Sequence, residues 1–369
     1  MPWREFVLTH IGPGLLGGIT TSQWRRLLRD NRYDVSPRHA VRLASITWNA
    51  TLNSAAVRWE NRRRDEWESL DIEPPLFVLG HWRSGTTHLH NLLALDPRFA
   101  FPNIYQCMMP GTFLGSEAFG ARMMAGLLPK RRPMDNIEWN AQSPHEDEFA
   151  LCIATFISPY MGWMFPSRRE HYDRYLTLAD ATAAEVAAWR QALLLFMKKL
   201  TWKYRRPLVL KSPTHTARIR LLLEMFPQAR FVHIHRHPYA VYPSSCKTFR
   251  INMEMCGLQQ PRLDDLGEWV LRQYRSMHEA FFAERSLIPA GQFHELSFSD
   301  LESDPLAQLR RLYERLALPD FAAVEAPVRA YLASIAGYQK NEFAGLDDAT
   351  RRRVADAARP CFAEWGYEE

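Results

Sequence analysis

The sequence predicts an α/β protein in which helices cover both faces of a central parallel β-sheet. Short apolar runs bounded by Pro and Gly alternate with helical stretches through most of the chain, as expected of strand–helix–strand units. The 369 residues are 47% hydrophobic and 24% charged, which is the composition of a folded protein. We expect a single domain over residues 1–369, because no repeat or low-complexity linker divides the chain.

Each element is predicted from a local pattern, taken here in chain order. Residues 1–73 form a helical N-terminal layer, residues 74–318 the core, and residues 319–369 a C-terminal closing segment. Short buried runs predict the strands, which are residues 76–79, 207–213, 228–238 and 292–298. Periodic apolar positions and end signals predict the helices, which are residues 86–95, 181–204, 214–226, one from about 239 and one from 305. Residues 99–132 are rich in Met, Pro and Gly, and we expect loops and short helices there.

A loop suited to an anion follows the first predicted strand. Gly80 and Gly85 have the spacing of a triphosphate-binding loop, yet Thr86 stands where that loop has its lysine. The cation lies upstream instead, at Arg83. Backbone N–H groups at the start of a helix, with the helix dipole and nearby hydroxyls, favour a bound anion. The residues predicted to bind it are Arg83, Ser84, Gly85, Thr86 and Thr87.

A second anion site is predicted after the third strand. Arg236 follows that apolar strand, and Ser244 comes eight residues later near the start of the next helix. Ligands of parallel sheets gather at the carboxyl ends of the strands, so both anion sites lie at one edge. Two separate phosphate sites indicate a nucleotide with phosphates at two places on its sugar.

With both motifs in order, the chain resembles the sulfotransferases that use 3′-phosphoadenosine 5′-phosphosulfate (PAPS). In that family an RSGTT or KSGTT loop holds the 5′-phosphosulfate, which corresponds to residues 83–87 here. An Arg followed eight residues later by a Ser holds the 3′-phosphate, which corresponds to Arg236 and Ser244. The resemblance covers roughly residues 74–318. It implies a P-loop NTPase-like sulfotransferase fold, with in-line transfer of a sulfuryl group to a hydroxyl or amine, release of PAP, and no metal.

The sequence departs from the family pattern at three positions. Many cytosolic members have Lys in place of Arg83, and a Trp that stacks near the adenine in place of His88. His88 is therefore a candidate contact of the nucleotide by position, although His81 and His88 also fit structural roles beside the loop. The second motif continues as Arg236-His237-Pro238, where Arg-Asp-Pro is common. These features are more similar to bacterial members than to the small-phenol enzymes.

Five residues are candidates for catalysis. Arg83 and Lys211, which ends the second strand, would neutralise charge on the bridging oxygen of the leaving group. The acceptor needs a base, for which the family uses Glu or His. Glu146 and Glu148 fit that role in the HEDEFAL stretch, where we predict a helix starting at Ser143-Pro144. His215, in the turn after Lys211, is the rival base.

The C-terminal closing segment offers one further cation. Residues 337–346 are basic and aromatic, and related proteins close the 3′-phosphate site with such a segment. Lys340 and Tyr338 are the candidates, and a solvated loop fits the same residues equally well.

Bulk properties limit the cellular setting and the partners. A net charge of +5 suits an anionic small ligand as well as nucleic acid and does not choose between them, whereas the two anion motifs favour a nucleotide and no nucleic acid. The five scattered cysteines form no CxxC pair, so we expect a reducing cytoplasm and no metal. Gly and Pro interrupt both long charge-free runs, which argues against a membrane-spanning helix, although peripheral membrane contact remains open. The predicted partners are PAPS or PAP and a small-molecule, lipid or glycan acceptor.

Two alternatives compete with the sulfotransferase interpretation. A P-loop kinase or NTPase needs a lysine after Gly85 and Mg²⁺ ligands, and the sequence offers neither well. A non-catalytic nucleotide-binding protein at the membrane could use basic clusters such as residues 62–64 for anionic lipid headgroups. Isolated charges at strand ends, such as Arg83, Lys211 and Arg236, favour an enzyme.

Overall fold

The computed structural model describes residues 3–129, 131–135, 137, 140–339, 341 and 343–368. The chain divides into two compact units. The first unit contains residues 1–72, 102–205 and 248–264, and the second contains residues 73–101, 206–247 and 265–369. The single domain predicted from the sequence stays a prediction.

The helices and strands follow in chain order. The strands are β1 (Leu76–Leu79), β2 (Val209–Lys211), β3 (Arg230–His235) and β4 (Phe293–Ser297). The α-helices of the first half are α1 (Trp3–Phe6), α2 (Thr21–Asp30), α3 (Ala40–Glu60), α4 (Asp65–Glu68), α5 (Thr86–Leu93), α6 (Ile104–Met108), α7 (Phe113–Leu127), α8 (Glu148–Thr155), α9 (Met161–Met164) and α10 (Arg169–Asp173). The remaining α-helices are α11 (Ala183–Tyr204), α12 (Ile219–Met225), α13 (Pro238–Cys256), α14 (Leu266–Glu284), α15 (Phe298–Ser303), α16 (Pro305–Arg315), α17 (Ala322–Ser334) and α18 (Asp348–Trp365). Short 3₁₀ turns and one π turn lie between them.

The second unit holds a parallel four-stranded sheet in the order β2-β1-β3-β4. Leu76 pairs with Val209 on one side and with Arg230 on the other, so β1 lies between β2 and β3. The chain moves from β1 outward to β2 and then returns to the opposite side of β1 at β3. Such a reversal leaves a crevice at the carboxyl end of the central strand, where ligands of this fold class bind.

Alternate residues of the strands bury the two faces of the sheet, as strand geometry requires. On one face, Val78, Val232 and Ile234 join a core with leucines of α5 and α16. On the other face, the Phe77 and Phe231 rings stack with centroids 5.6 Å apart, and His233 stacks on Phe281 of α14 at 4.0 Å. The prediction of a parallel sheet with helices on both faces is confirmed.

Three predicted segments differ from those observed. The helix expected from Ser143 begins at Glu148 instead, because Pro144 forms an antiparallel bridge with Asn103 and its neighbours bond to that segment. Residues 214–226 form a 3₁₀ turn followed by α12. Within residues 99–132, α7 is a full helix of 15 residues rather than a short one.

The first unit is built from helices. Ion pairs join its members: Lys199 of α11 pairs with Glu60 of α3 in the interior, and the more exposed Lys203 of α11 pairs with Glu117 of α7. Along the part of the chain that the structure describes, every helix is too short or too polar to cross a membrane.

Candidate active site

The loop between β1 and α5 has a backbone that requires glycine at both ends. Gly80 has φ +139°, and a Cβ there would lie 2.4 Å from the carbonyl oxygen of Ile234. Gly85 has φ +104°, and a Cβ there would lie 2.3 Å from a ring carbon of Phe298. Between them Arg83 adopts φ +73°, a left-handed conformation that is costly for a residue with a side chain. The loop is therefore tightly turned against β3 and α15.

Hydrogen bonds fix the shape of this loop. The Gly80 N–H donates to Oγ1 of Thr216 at 2.7 Å, which ties the loop to the turn after β2. The Ser84 hydroxyl and N–H both donate to the carbonyl of His81, at 2.8 and 3.1 Å. Ser84 thus shapes the turn, while the first-turn N–H groups of α5 have no intrahelical acceptor and face the loop, as an anion site requires.

The two predicted anion motifs meet in the structure. Nε of Arg83 donates to the Ser244 hydroxyl at 2.9 Å, and Nη1 of Arg236 approaches the carbonyl of Arg83 at 3.4 Å. The Arg236 guanidinium also lies over the ring of Phe298, 4.5 Å from its centroid. The loop after β1, the end of β3 and the start of α13 therefore place two cations and a hydroxyl side by side.

The electrostatics of this cluster favour an anionic ligand. Burial lowers the pKa of Arg236, and the nearby Arg83 lowers it further, while Glu302 partly opposes the shift. Two guanidinium groups held together under partial burial repel one another and lose hydration. A phosphate or sulfate oxygen between them would relieve both costs through charge-assisted hydrogen bonds.

Lys211 and His215 lie beside the loop at the end of β2. Lys211 pairs in register with Val78 of β1 and is only 2% exposed. Its side chain therefore lies at the carboxyl end of β2, on the strand next to β1. His215 lies in the 3₁₀ turn Pro213–Ala217, fully buried, with its ring edge-on to Phe77 at 5.3 Å.

The two histidines that flank the loop are largely buried. Burial lowers the pKa of His81 to about 4, and its Nδ1 donates to the carbonyl of Trp82 at 2.8 Å. Burial also lowers the pKa of His88, whose ring lies face to face with that of Tyr331, with centroids 6.5 Å apart. Both rings are therefore neutral and aromatic near neutral pH.

The C-terminal segment approaches the helix that carries Ser244. Nζ of Lys247, one turn after Ser244, donates to Oδ1 of Asn341 at 2.9 Å. Lys340, the cation predicted to close the 3′-phosphate site, lies outside the described residues. The role predicted for it stays a prediction.

The two candidate carboxylates belong to the first unit. Glu148 is the first residue of α8 and is completely buried. Glu146 is half-buried, and its carboxylate accepts a hydrogen bond from the Tyr160 hydroxyl. The Tyr160 ring packs against Phe149 and stacks on Trp163, with centroids 5.0 and 4.2 Å away. Glu146 thus stands in an aromatic environment.

The sequence analysis missed two residues that shape the site, Thr216 and Phe298. Thr216 anchors Gly80, and Phe298 fills the space that opens because Gly85 lacks a Cβ while also supporting Arg236. Both contacts join positions far apart in the chain. The sequence could have indicated these residues only by their position after predicted strands. Phe298 directly follows the last strand, and Thr216 lies in the turn after β2.

Comparisons with known proteins agree with this geometry. A model of the sulfotransferase family matches residues 74–322. The chain is 38% identical over 343 residues to omega-hydroxy-beta-dihydromenaquinone-9 sulfotransferase Stf3 of Mycobacterium bovis and of Mycobacterium tuberculosis, a match covering 92% of this chain and 87% of each relative.

Solved structures share the fold at lower identity. Sulfotransferase STF9 from Mycobacterium avium matches with a TM-score of 0.71 at 23% identity, over 95% of this chain and 93% of that one. Sulfotransferase STF1 from Mycobacterium tuberculosis matches with a TM-score of 0.63 at 17% identity, over 92% and 94%. These two matches establish the fold. The family model and the sequence relatives establish more: the chain belongs to the sulfotransferase family and is an enzyme of sulfuryl transfer.

Proposed function

We propose that the enzyme transfers the sulfuryl group of PAPS to a hydroxyl of an apolar acceptor and releases PAP, without a metal. The observation that carries the donor assignment is the contact of Arg83 with Ser244 beside Arg236. This cluster offers cations and a hydroxyl to phosphates at two places on one nucleotide. A triphosphate would leave the second motif without a ligand, so the kinase alternative has less support.

The residues proposed to bind PAPS fall into two groups, one for each end of the nucleotide. The start of α5 and Arg83 would hold the 5′-phosphosulfate, while Arg236 and Ser244 would hold the 3′-phosphate. In the transfer step, the bond from sulfur to the 5′-phosphate oxygen breaks as a bond from sulfur to the acceptor oxygen forms. Negative charge develops on the departing phosphate, where Arg83 and Lys211 would stabilise it. His88 would offer a neutral ring to the adenine where many members have Trp.

The name of the curated relatives motivates the acceptor class. It describes their substrate as an omega-hydroxy-beta-dihydromenaquinone-9, a hydroxyl on a menaquinone. We therefore propose an alcohol carried on a large apolar molecule as the acceptor. The aromatic surroundings of Glu146, built by Phe149, Tyr160 and Trp163, support an apolar substrate in the first unit.

The base that takes the acceptor proton is proposed among Glu146, Glu148 and His215. Glu146 is the best supported, because it is half-exposed and lies among aromatic rings that suit an apolar acceptor. Glu148 and His215 are both fully buried. Glu146→Gln should lower single-turnover transfer by roughly 10²- to 10⁴-fold. Glu148→Gln and His215→Asn are the matched variants, and a larger loss in either would transfer the role to that residue.

Calorimetric titration with PAP, ADP and ATP, first in EDTA and then with Mg²⁺, tests the donor assignment. We expect PAP to bind tightly in EDTA and ADP to bind weakly, because only PAP carries the 3′-phosphate. Arg236→Ala should abolish the preference for PAP, while Arg359→Ala on the exposed side of α18 should not change it. A preference for ATP with Mg²⁺ would overturn the proposal and return the loop to phosphoryl chemistry.

A further inference from the structure

The outer side of α3 carries a line of large apolar side chains. Val41, Trp48, Leu52 and Trp59 are spaced by seven, four and seven residues, which places them within about 20° of one line along a helix. Each remains more than half exposed, and Trp48 is 67% exposed. Folded chains rarely expose contiguous apolar surface of this kind without a partner. Packing within the first unit therefore does not account for this line of exposed apolar side chains.

The apolar surface continues onto α7. The Trp59 ring lies on Gly115, where a Cβ would come within 2.2 Å of it. From that contact α7 presents Phe119, Met123 and Leu127 one turn apart, and Phe119 is 71% exposed. The apolar lines of α3 and α7 thus join at Trp59.

The N-terminal helix extends the same surface. Nη1 of Arg4 donates to the carbonyl of Leu128, directly after α7, at 2.9 Å. This bond brings α1, with its exposed Trp3 and Phe6, to the far end of α7. We call the exposed apolar side of α1, α3 and α7 the tryptophan face.

The exposed charges that the structure describes on α3 and α7 are positive. The acidic residues of α3 and α7, Glu60 and Glu117, point inward and pair with Lys199 and Lys203. The exposed charged side chains of these two helices are Arg58 and Arg122. Among the side chains that the structure describes on α1, α3 and α7, every exposed charge is therefore positive.

We infer that the tryptophan face docks on a bilayer surface that contains anionic lipids. Aromatic and aliphatic side chains enter the interface while arginines contact phosphate headgroups, which is the composition of interfacial anchors. A second copy of the chain is the competing occupant, because the spacing on α3 also fits a helix–helix seam. A two-fold pair would bring Arg58 and Arg122 of both copies together on one apolar face, where like charges repel, which disfavours it. The link to an acceptor dissolved in the membrane rests on the proposed function, whereas the docking itself does not.

Flotation of the full-length protein with vesicles tests the inference. The vesicles contain either phosphatidylcholine alone or an equal mixture of phosphatidylcholine and phosphatidylglycerol. We expect binding to the mixture, weakened at high salt. The double change Trp48→Ser and Leu52→Ser should lower the partition coefficient at least about tenfold, since inserting such side chains is worth that factor or more. Leu287→Ser, at an exposed leucine of the other unit, is the matched control and should bind as the wild type does.

The arginines are tested separately. Arg58→Glu with Arg122→Glu should abolish the preference for the anionic vesicles, because each cation near such a surface contributes about a fivefold factor. Arg352→Glu with Arg359→Glu, at two exposed positions of α18, changes the net charge by the same amount and is the control. Wild-type protein that fails to float with either vesicle, or floats equally well after the Trp48 and Leu52 changes, would overturn the inference. A dimer in light scattering that these changes dissociate, without vesicle binding, would instead assign the face to a second copy.

The same variants separate this inference from the proposed function. PAP titration of the Trp48 and Leu52 variant should give the wild-type affinity, because neither residue belongs to the cluster of Arg83, Arg236 and Ser244 that we propose to bind the nucleotide. Vesicle binding without PAP binding would leave the docking surface in place and refute the donor assignment. PAP binding without vesicle binding would do the reverse.

Discussion

Arg83 shows at the scale of one residue how backbone strain coincides with a proposed function. Its backbone is left-handed at φ +73°, which costs roughly 1 kcal/mol for a residue with a Cβ. The conformation persists because the side chain donates to Ser244 and the carbonyl faces Arg236. The strained backbone directs the guanidinium away from β1 and toward the residues after β3. We interpret the strain as the cost of presenting a cation to the ligand.

Replacing Arg83 with glycine should therefore separate stability from activity. Arg83→Gly relieves the left-handed strain, so the free energy of unfolding should stay unchanged or rise by about 1 kcal/mol. Sulfuryl transfer should fall by at least roughly 10²-fold, since the variant loses the cation that we propose at the donor site. Urea unfolding and single-turnover transfer measure the two effects.

Arg205 provides the control for Arg83. It is also left-handed, at φ +52° after α11, and carries no predicted role in the site. Arg205→Gly should stabilise the protein similarly without affecting transfer. Loss of stability in Arg83→Gly would show that the side-chain bond to Ser244 matters more than the strain, and would contradict our interpretation.

Gly85 tests how closely Phe298 packs against the loop. Gly85→Ala adds both a strained φ and a clash 2.3 Å from the Phe298 ring, so PAP binding should fall at least about tenfold and the protein should lose roughly 1 to 3 kcal/mol. Gly291 has φ +82° with open space around it, so Gly291→Ala isolates the strain alone. PAP titration measures the binding, and thermal unfolding measures the stability of each variant. Equal losses of stability in the two variants would contradict the close packing of Phe298 against Gly85.

At the scale of elements, the sequence predicted strands better than helix starts. β1 to β4 match the predicted runs because buried parallel strands are short and continuously apolar, which is a local property. The start of α8 was missed because the residues before it bond across to residues 102–104, a contact that no local pattern reveals. Likewise the motifs predicted that the loop, Arg236 and Ser244 lie together, whereas the contacts of Thr216 and Phe298 depend on how distant segments pack.

Substitutions at two residues, one an observed helix cap and one only predicted to be a cap, test where helices begin. The Thr182 side chain accepts the Glu185 N–H at the start of α11, and Glu185 reciprocates in a capping box. Thr182→Ala should therefore cost about 1 kcal/mol of stability. Ser143→Ala changes the residue that the sequence predicted as a cap but that precedes no helix, and it should cost little. Thermal unfolding of both variants decides, and a larger loss in Ser143→Ala would restore the predicted helix start.

At the scale of the whole molecule, histidines buried in the second unit should limit stability in acid. The His81 ring lies 5.7 Å from that of His278, whose Nδ1 donates to the carbonyl of Tyr274. Burial lowers the pKa of His278 well below its ordinary value and lowers that of His235 to about 4, as it does for His81. These side chains stay neutral in the folded protein at pH values where the unfolded chain protonates them.

Acidification should thus destabilise the enzyme, and removing one of these histidines should reduce the effect. For His81, the unfolded chain binds a proton below about pH 6.5, while the folded protein does so only near pH 4. The free energy of unfolding therefore falls across that window, by about 3 kcal/mol for this group, and is fully recovered above it. Asparagine keeps a donor for the carbonyl of Trp82 but does not titrate, so His81→Asn should show a shallower decline, whereas His10→Asn at an exposed position should match the wild type. Urea unfolding at a series of pH values measures the slopes, and equal slopes for His81→Asn and the wild type would show that His81 does not carry the acid sensitivity.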